Sequence, residues 1–198
     1  MDAETLSQSV IAHDRQALAE IAREECQLAL WQRDLAFEPA PLMEGPVDEI
    51  RLESTAGNVA ADVNLAMAKA GYAASPAREA LTWDIADLAA QFSKIAGCTD
   101  IALRLAVVET DSCRKFHADW ITLRLITTYA GRGTEWLEPR DSKRVAEGED
   151  PLAINRLNAG DVGIFKGRLA SEQPAIHRSP PISGTGEKRL LLVLDPVE

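Results

Sequence analysis

The chain has 198 residues, 46% of them hydrophobic, and a formal net charge of −10 at pH 7. This length and apolar fraction suit one sizeable domain with a real core. The acidic balance argues against nucleic acid as a partner, because phosphate backbones are bound by basic surfaces. No apolar run is long enough for a membrane span, and the polar, acidic N-terminus is unlike a signal peptide. Cys26, Cys98 and Cys113 are odd in number and scattered, with no C-x-x-C pair and no disulfide framework. That usage suits a reducing compartment, so the expected location is cytoplasmic.

In chain order, the first ~98 residues are expected to be mainly helical and to support the C-terminal half. From Arg15, Leu18, Ile21 and Ala22 form an apolar face at helical spacing. Gln27 to Trp31 either continues that helix or switches to a short strand, and periodicity leaves both open. Residues 38–47 carry three prolines and a glycine and are expected to form an irregular connection. A second helix is expected within 58–70, ending at Gly71. The third is better signalled: Ser75 as N-cap, Pro76 at the first helical position, then Leu81, Ile85, Leu88, Phe92 and Ile95 along one stripe, with Gly97 as the stop.

At residue 99 the period changes. Ile101, Leu103, Leu105 and Val107 alternate with less apolar neighbours, as in a half-buried strand. Ile121–Tyr129 is rich in β-branched residues and forms the next expected strand; 130–133 turns, and Thr134–Leu137 returns. Residues 138–151 are charged and expected to be a loop, conceivable as a lid over a barrel mouth. A glycine-bounded strand comes next over 160–167, and Arg189–Asp195, apolar on both faces, reads as a buried strand. The fold class expected is α+β: helices over 1–98 packed on a sandwich or jelly roll over 99–198, one composite unit without repeats.

Two of the chain's three histidines frame its chemistry. His117 and Asp119 form an H-x-D pair, whose side chains share one face if the segment is a strand. His177 is the serious candidate for a third ligand, since His13 lies among polar neighbours near the N-terminus. Two imidazoles and a carboxylate leave open positions on a non-haem Fe(II), and suit Zn, Ni or Mn as well. An H-x-D alone is equally an ordinary hydrogen-bonded pair. Cys113, four residues before His117, is a further zinc ligand, a redox-sensitive position or a small buried apolar residue. Trp120 and Trp136 are core aromatics or pocket walls, and Arg178 is a solvated charge or else a substrate or acid contact.

The order His117-x-Asp119, Arg124 to Tyr129, Gly133-Thr134-Glu135-Trp136, Gly160-Asp161-Val162-x-x-Phe165, His177 and then a basic residue resembles the double-stranded β-helix (jelly roll, cupin-like) of Fe(II)- and 2-oxoglutarate-dependent oxygenases, in particular the prolyl-hydroxylase-like branch. At a finer level Cys113-x-x-Phe116-His117-x-Asp119, Gly133–Trp136 and His177-Arg178-Ser179-Pro180-Pro181 resemble a bacterial family known as domain of unknown function 1826. The oxygenase resemblance implies Fe(II) on His117, Asp119 and His177, with 2-oxoglutarate as co-substrate. It implies a basic clamp on the far carboxylate of the keto acid, with Arg189 preferred and Lys188 as rival; adjacent strand residues face opposite sides, so only one of them points inward. Tyr129 shares parity with His117 and Asp119 if the register holds, and is then either a keto-acid contact or, equally, a core aromatic with its hydroxyl satisfied. Arg124 has the opposite parity and is expected to pair with an acid outside the cavity, unless the chain bends after Trp120. Two alternatives stand beside the oxygenase: a non-catalytic, zinc-linked metal-binding protein on the same β-fold, and an interaction domain with a vestigial site. The substrate, a small molecule or a protein side chain, is not written in the sequence.

Overall fold

The computed structural model describes residues 8–111 and 113–197. Among these residues ten strands form two sheets. The larger is built from β1 (Ser9–Ala12), β2 (Leu28–Trp31), β3 (Ile50–Thr55), β4 (Asp100–Val108), β5 (Leu123–Ala130), β8 (Val162–Lys166) and β10 (Arg189–Pro196). Their spatial order is β1-β2-β8-β5-β10-β4-β3, antiparallel at every pair except β1–β2. The smaller sheet has the order β7-β6-β9, from β6 (Glu135–Leu137), β7 (Asn155–Arg156) and β9 (Ile176–Arg178). A bridge between His117 and His177 adds a fourth piece of chain beyond β9. From residue 100 onward the chain alternates between the two sheets.

The large sheet separates two apolar layers. Leu103 and Leu105 of β4, Leu125 and Tyr129 of β5, and Leu190, Leu192 and Leu194 of β10 face α1 (Val59–Lys69) and α2 (Pro76–Ala96). The alternate residues Ala106, Ile126, Phe165 and Leu191 face Trp136 and Leu157 on the other side. The period-2 alternation of a strand thus gives each layer half of every strand's side chains.

The α2 helix has the predicted caps. Ser75 is extended and its hydroxyl accepts from Arg78 N at 3.1 Å, Pro76 opens the helix, and Gly97 closes it at φ 67°. Leu81, Ile85, Leu88 and Phe92 are completely buried on the sheet. At about 1.5–3 kcal/mol each, these four contribute up to roughly 6–12 kcal/mol against an extended chain.

The N-terminal half departs from the mainly helical expectation. Residues 28–31 resolve as a strand, because they pair with Phe165–Val162 of β8. Residues 9–12 and 50–55 are strands at the two edges of the same sheet. The segment Arg15–Ala22 is a 3-10 helix capped by Asp14, whose side chain accepts from Gln16 N at 2.9 Å. Within the charged segment 138–151, the expected loop contains a helix, α3 (Pro139–Ala146). Asp141 there is buried, and its Oδ1 accepts from Leu152 N at 2.6 Å, so the segment folds back on itself. No helix among the described residues is long and apolar enough to cross a membrane.

Candidate metal centre

His117 and His177 face each other across the bridge. Each donates its backbone N–H to the other's carbonyl, at 3.0 and 2.9 Å, and the ring centroids are 4.8 Å apart. His177 lies in β9 against Phe165, ring to ring at 4.8 Å. Asp119 lies in the loop that leads to β5. That loop is tied to the end of β8: Asp119 O accepts from Arg168 N at 2.9 Å and Thr122 O from Gly167 N at 2.8 Å. A Cβ at Gly167 would lie 2.2 Å from Ile121 O and 3.0 Å from Asp119 O, so only glycine permits this approach.

The three side chains converge. Asp119 Oδ2 is 3.2 Å from His177 Nε2, and Oδ1 is 3.6 Å from His117 Nε2. One ligand atom from each residue falls within 4.8 Å of the others, slightly wider than an ion with ligands at about 2.0–2.2 Å would draw them. The Nδ1 atoms turn away: that of His117 is 2.9 Å from Lys115 O and that of His177 is 3.4 Å from Ala175 O. A carbonyl only accepts, so each Nδ1 carries a hydrogen; Nε2 donates to Asp119 when it too bears a proton, and otherwise has a lone pair free for a metal.

Electrostatics hold the carboxylate charged. Burial opposes the charge, but the hydrogen bonds from His117 and His177 and the Arg124 charge outweigh it and keep Asp119 far below the ordinary carboxylate range. Its hydrogen bond to Asp119 raises the pKa of His117, against the effect of burial. Arg124 is itself clamped by Asp195, with Nε–Oδ1 at 2.7 Å and Nη2–Oδ2 at 2.6 Å. Its remaining Nη1 reaches to 2.8 Å from Asp119 Oδ2. That contact is out of line for a hydrogen bond, so Oδ2 keeps an unused lone pair.

Arg189 is the other singular residue. It is 1% exposed and lies at the start of β10, on the same side of the strand as Leu191 in the inter-sheet layer. Its Nη2 donates to Thr128 Oγ1 at 3.1 Å and to Thr134 Oγ1 at 3.4 Å, while Nε and Nη1 have no partner among the described residues. Burial lowers its pKa to about 10. The acid whose charge reaches it, Glu135, is already bonded to Arg156 at 2.5 Å and Arg178 at 2.7 Å. Gly131 makes room here, since a Cβ on it would sit 2.2 Å from Lys188 O.

Several expectations change. Lys188 faces outward and pairs with Glu109 at 2.6 Å. Tyr129 is on the helix side of the sheet, its hydroxyl donating to Asp84 Oδ2 at 2.7 Å, away from the triad. Arg124, expected outside the cavity, is on the triad's side. Parity does not carry over because His117 and Asp119 lie in a bridge and a loop, so alternation does not run through from them into β5. A register shift between Leu190 and Leu191 leaves Tyr129 without a partner in β10, as in a bulge. Cys113 is exposed, and the ligand cluster among the described residues does not include it. Trp136 is buried opposite His177 in the β6–β9 register, while Trp120 is exposed. Asp195 was not singled out from sequence, and Thr128 and Thr134 entered only as parts of motifs with no role assigned; the alternation of β5 and β10 was the available signal.

Residues 12–195 match a family described as protein of unknown function (DUF1826). No curated protein matches the chain. Among solved structures, a 2-oxoglutarate complex of dioxygenase for auxin oxidation 1 from Arabidopsis thaliana is similar at 11% identity and a TM-score of 0.51, over 96% of this chain and 91% of that one. A Pseudomonas putida prolyl-4-hydroxylase aligns at 10% identity and 0.45, over 92% and 97%. The rice dioxygenase for auxin oxidation aligns at 13% and 0.43, over 81% of this chain but 62% of its own length. At such identities the likeness is one of fold, and the two lower scores add nothing to the first.

Proposed function

We propose that this chain, which belongs to the family of proteins of unknown function DUF1826, is a non-haem Fe(II)- and 2-oxoglutarate-dependent oxygenase of hydroxylase type on a double-stranded β-helix. The alternation of the chain between two sheets supports the barrel assignment. The observation that carries the reading is Arg189: a fully buried guanidinium with two orphaned nitrogens beside two threonine hydroxyls. An uncompensated buried charge costs several kcal/mol, on the order that a bound carboxylate offsets. A dicarboxylate with one end on Arg189 and the other near His117, Asp119 and His177 meets both requirements.

In this reading His117, Asp119 and His177 hold the metal through Nε2, a carboxylate oxygen and Nε2. Arg124, fixed by Asp195, orients Asp119. Arg189 and Thr128 hold the far carboxylate of 2-oxoglutarate. When bound, the iron and keto acid supply oxidising power from dioxygen for attack on a C–H bond. The protein's part is to position and to exclude water, with Phe165 and Trp136 as apolar walls. Unpaired Cys26, Cys98 and Cys113 agree with a reducing, cytoplasmic setting.

The test is anaerobic titration of Fe(II) and 2-oxoglutarate into untagged protein, read by calorimetry and melting temperature. Metal-dependent binding of 2-oxoglutarate, lost in Arg189→Met and kept in Lys188→Ala, is the expected result. A tightly held zinc with no response to 2-oxoglutarate overturns the proposal in favour of a non-catalytic metal protein. Unaltered metal binding in both His117→Ala and His177→Ala overturns the centre itself.

A further inference from the structure

Arg124 stands between two carboxylates that hold it unequally. Leu194 pairs with Leu125 where the β10–β5 ladder ends, so the next residue on each strand, Asp195 and Arg124, stand opposite each other. Both lie on the inter-sheet face, in step with Val193 and Ile126. Asp195 takes two bonds from the guanidinium, from Nε at 2.7 Å and from Nη2 at 2.6 Å. This is the fork in which a planar guanidinium matches a carboxylate best. Asp119 receives only what remains. Nη1 lies 2.8 Å from its Oδ2, close enough to act by charge but not aligned as a hydrogen bond.

Asp119 Oδ2 is therefore a buried carboxylate oxygen, 3.2 Å from His177 Nε2, with no aligned donor among the described residues. Such atoms are rare, because an unmade bond on a buried polar atom costs about 1–3 kcal/mol and more on a charged group. A guanidinium free to turn would close on it. Arg124 is not free to turn, since its other donors are committed to Asp195. The acceptor is fixed too: Asp119 O accepts from Arg168 N at 2.9 Å, which ties its loop to the end of β8. The offset between Arg124 and Asp119 is thus set from both ends.

A guanidinium and a divalent ion compete for the same lone pair. Turned into line, Arg124 would occupy it and, as a permanent cation, would repel an ion beside it. Held out of line, it still favours the charged carboxylate and leaves the lone pair open. We propose that Asp195 is a positioning residue for the metal centre: its two-bond fork keeps Arg124 off the Oδ2 lone pair and so reserves Asp119 for the ion. The inference rests on the metal centre of the proposed function and is independent of 2-oxoglutarate.

The experiment titrates Zn(II) into the full, metal-stripped chain in competition with a chromophoric chelator. It compares the unaltered protein with Asp195→Asn, Arg124→Met and the double variant, each checked for folding by its melting curve. Asparagine at 195 keeps the shape but gives up the charge and one acceptor oxygen, which lets Arg124 close on Asp119. Zn(II) affinity should then fall about ten-fold, the worth of one charge-assisted contact. Removing the guanidinium as well should restore most of the loss, because the competitor is gone. Arg124→Met alone should weaken binding by less than Asp195→Asn does. A pair that only ties β5 to β10 gives the opposite pattern, with the double variant no better than the weaker single one. The inference is overturned if Asp195→Asn binds Zn(II) as tightly as the unaltered protein, or if the double variant does not recover. Either result leaves the metal centre standing. An unaltered protein that does not bind Zn(II) overturns the centre and this inference with it.

Discussion

The two faces of the large sheet each hold an arginine, one half-buried and one fully buried, and the two are treated oppositely. On the helix side Arg33 is clamped by Asp84, at 2.6 and 2.8 Å, and donates to Gly160 O at 2.8 Å; Tyr129 donates to the same carboxylate. On the inter-sheet side Arg189 has two hydroxyls and no acid of its own. The first arrangement is complete without any ligand and locks α2 to β5. The second is incomplete, and under the proposed function it is the place for an anion rather than a structural tie.

The largest effect expected from breaking this contrast is on the helix side. Asp84→Ala strands both Arg33 and the Tyr129 hydroxyl, and should cost about 3 kcal/mol or more in a denaturant titration. Next is the metal. An ion that binds only the folded chain should stabilise it by roughly 2.7 kcal/mol at a hundred-fold excess over its Kd, and Asp119→Ala or His177→Ala should abolish the shift in melting temperature.

This shift should depend on pH with a definite sign. The pKa of His117 is raised above its ordinary 6.5. In the metal-free protein its pairing with Asp119 therefore contributes stability that is present below about pH 6.5 and is lost as pH rises through the folded value. Metal needs the unprotonated ring, so its stabilising effect should grow over that same interval. A metal-induced shift that shrinks between about pH 6 and pH 8 would contradict this linkage.

A smaller, opposite effect separates Arg189 from Arg33. Arg189→Met should leave stability unchanged or raise it by about 1 kcal/mol, while the response to 2-oxoglutarate is lost. Its neighbour provides the lower limit: Lys188→Ala breaks an exposed pair with Glu109 and, after solvent screening, should change stability by less than about 0.5 kcal/mol.

What the sequence determined is local in origin. The α2 helix was legible because Ser75, Pro76, Gly97 and its apolar stripe act within a few turns. The candidate ligands could be nominated because a chain with three histidines leaves few choices, and the fold brings His117, Asp119 and His177 together. Strands β1, β2 and β3 were not, since their stability comes from partners far along the chain: Leu28–Trp31 is a strand because Val162–Phe165 lies beside it. The roles of Arg189, Lys188, Arg124 and Tyr129 likewise waited on the fold. Each depends on which face of the sheet a residue occupies, and a bend before β5 and one unpaired residue at Tyr129 shift that phase. Composition and spacing supply the chemical groups, while only sheet register decides which of them share a cavity.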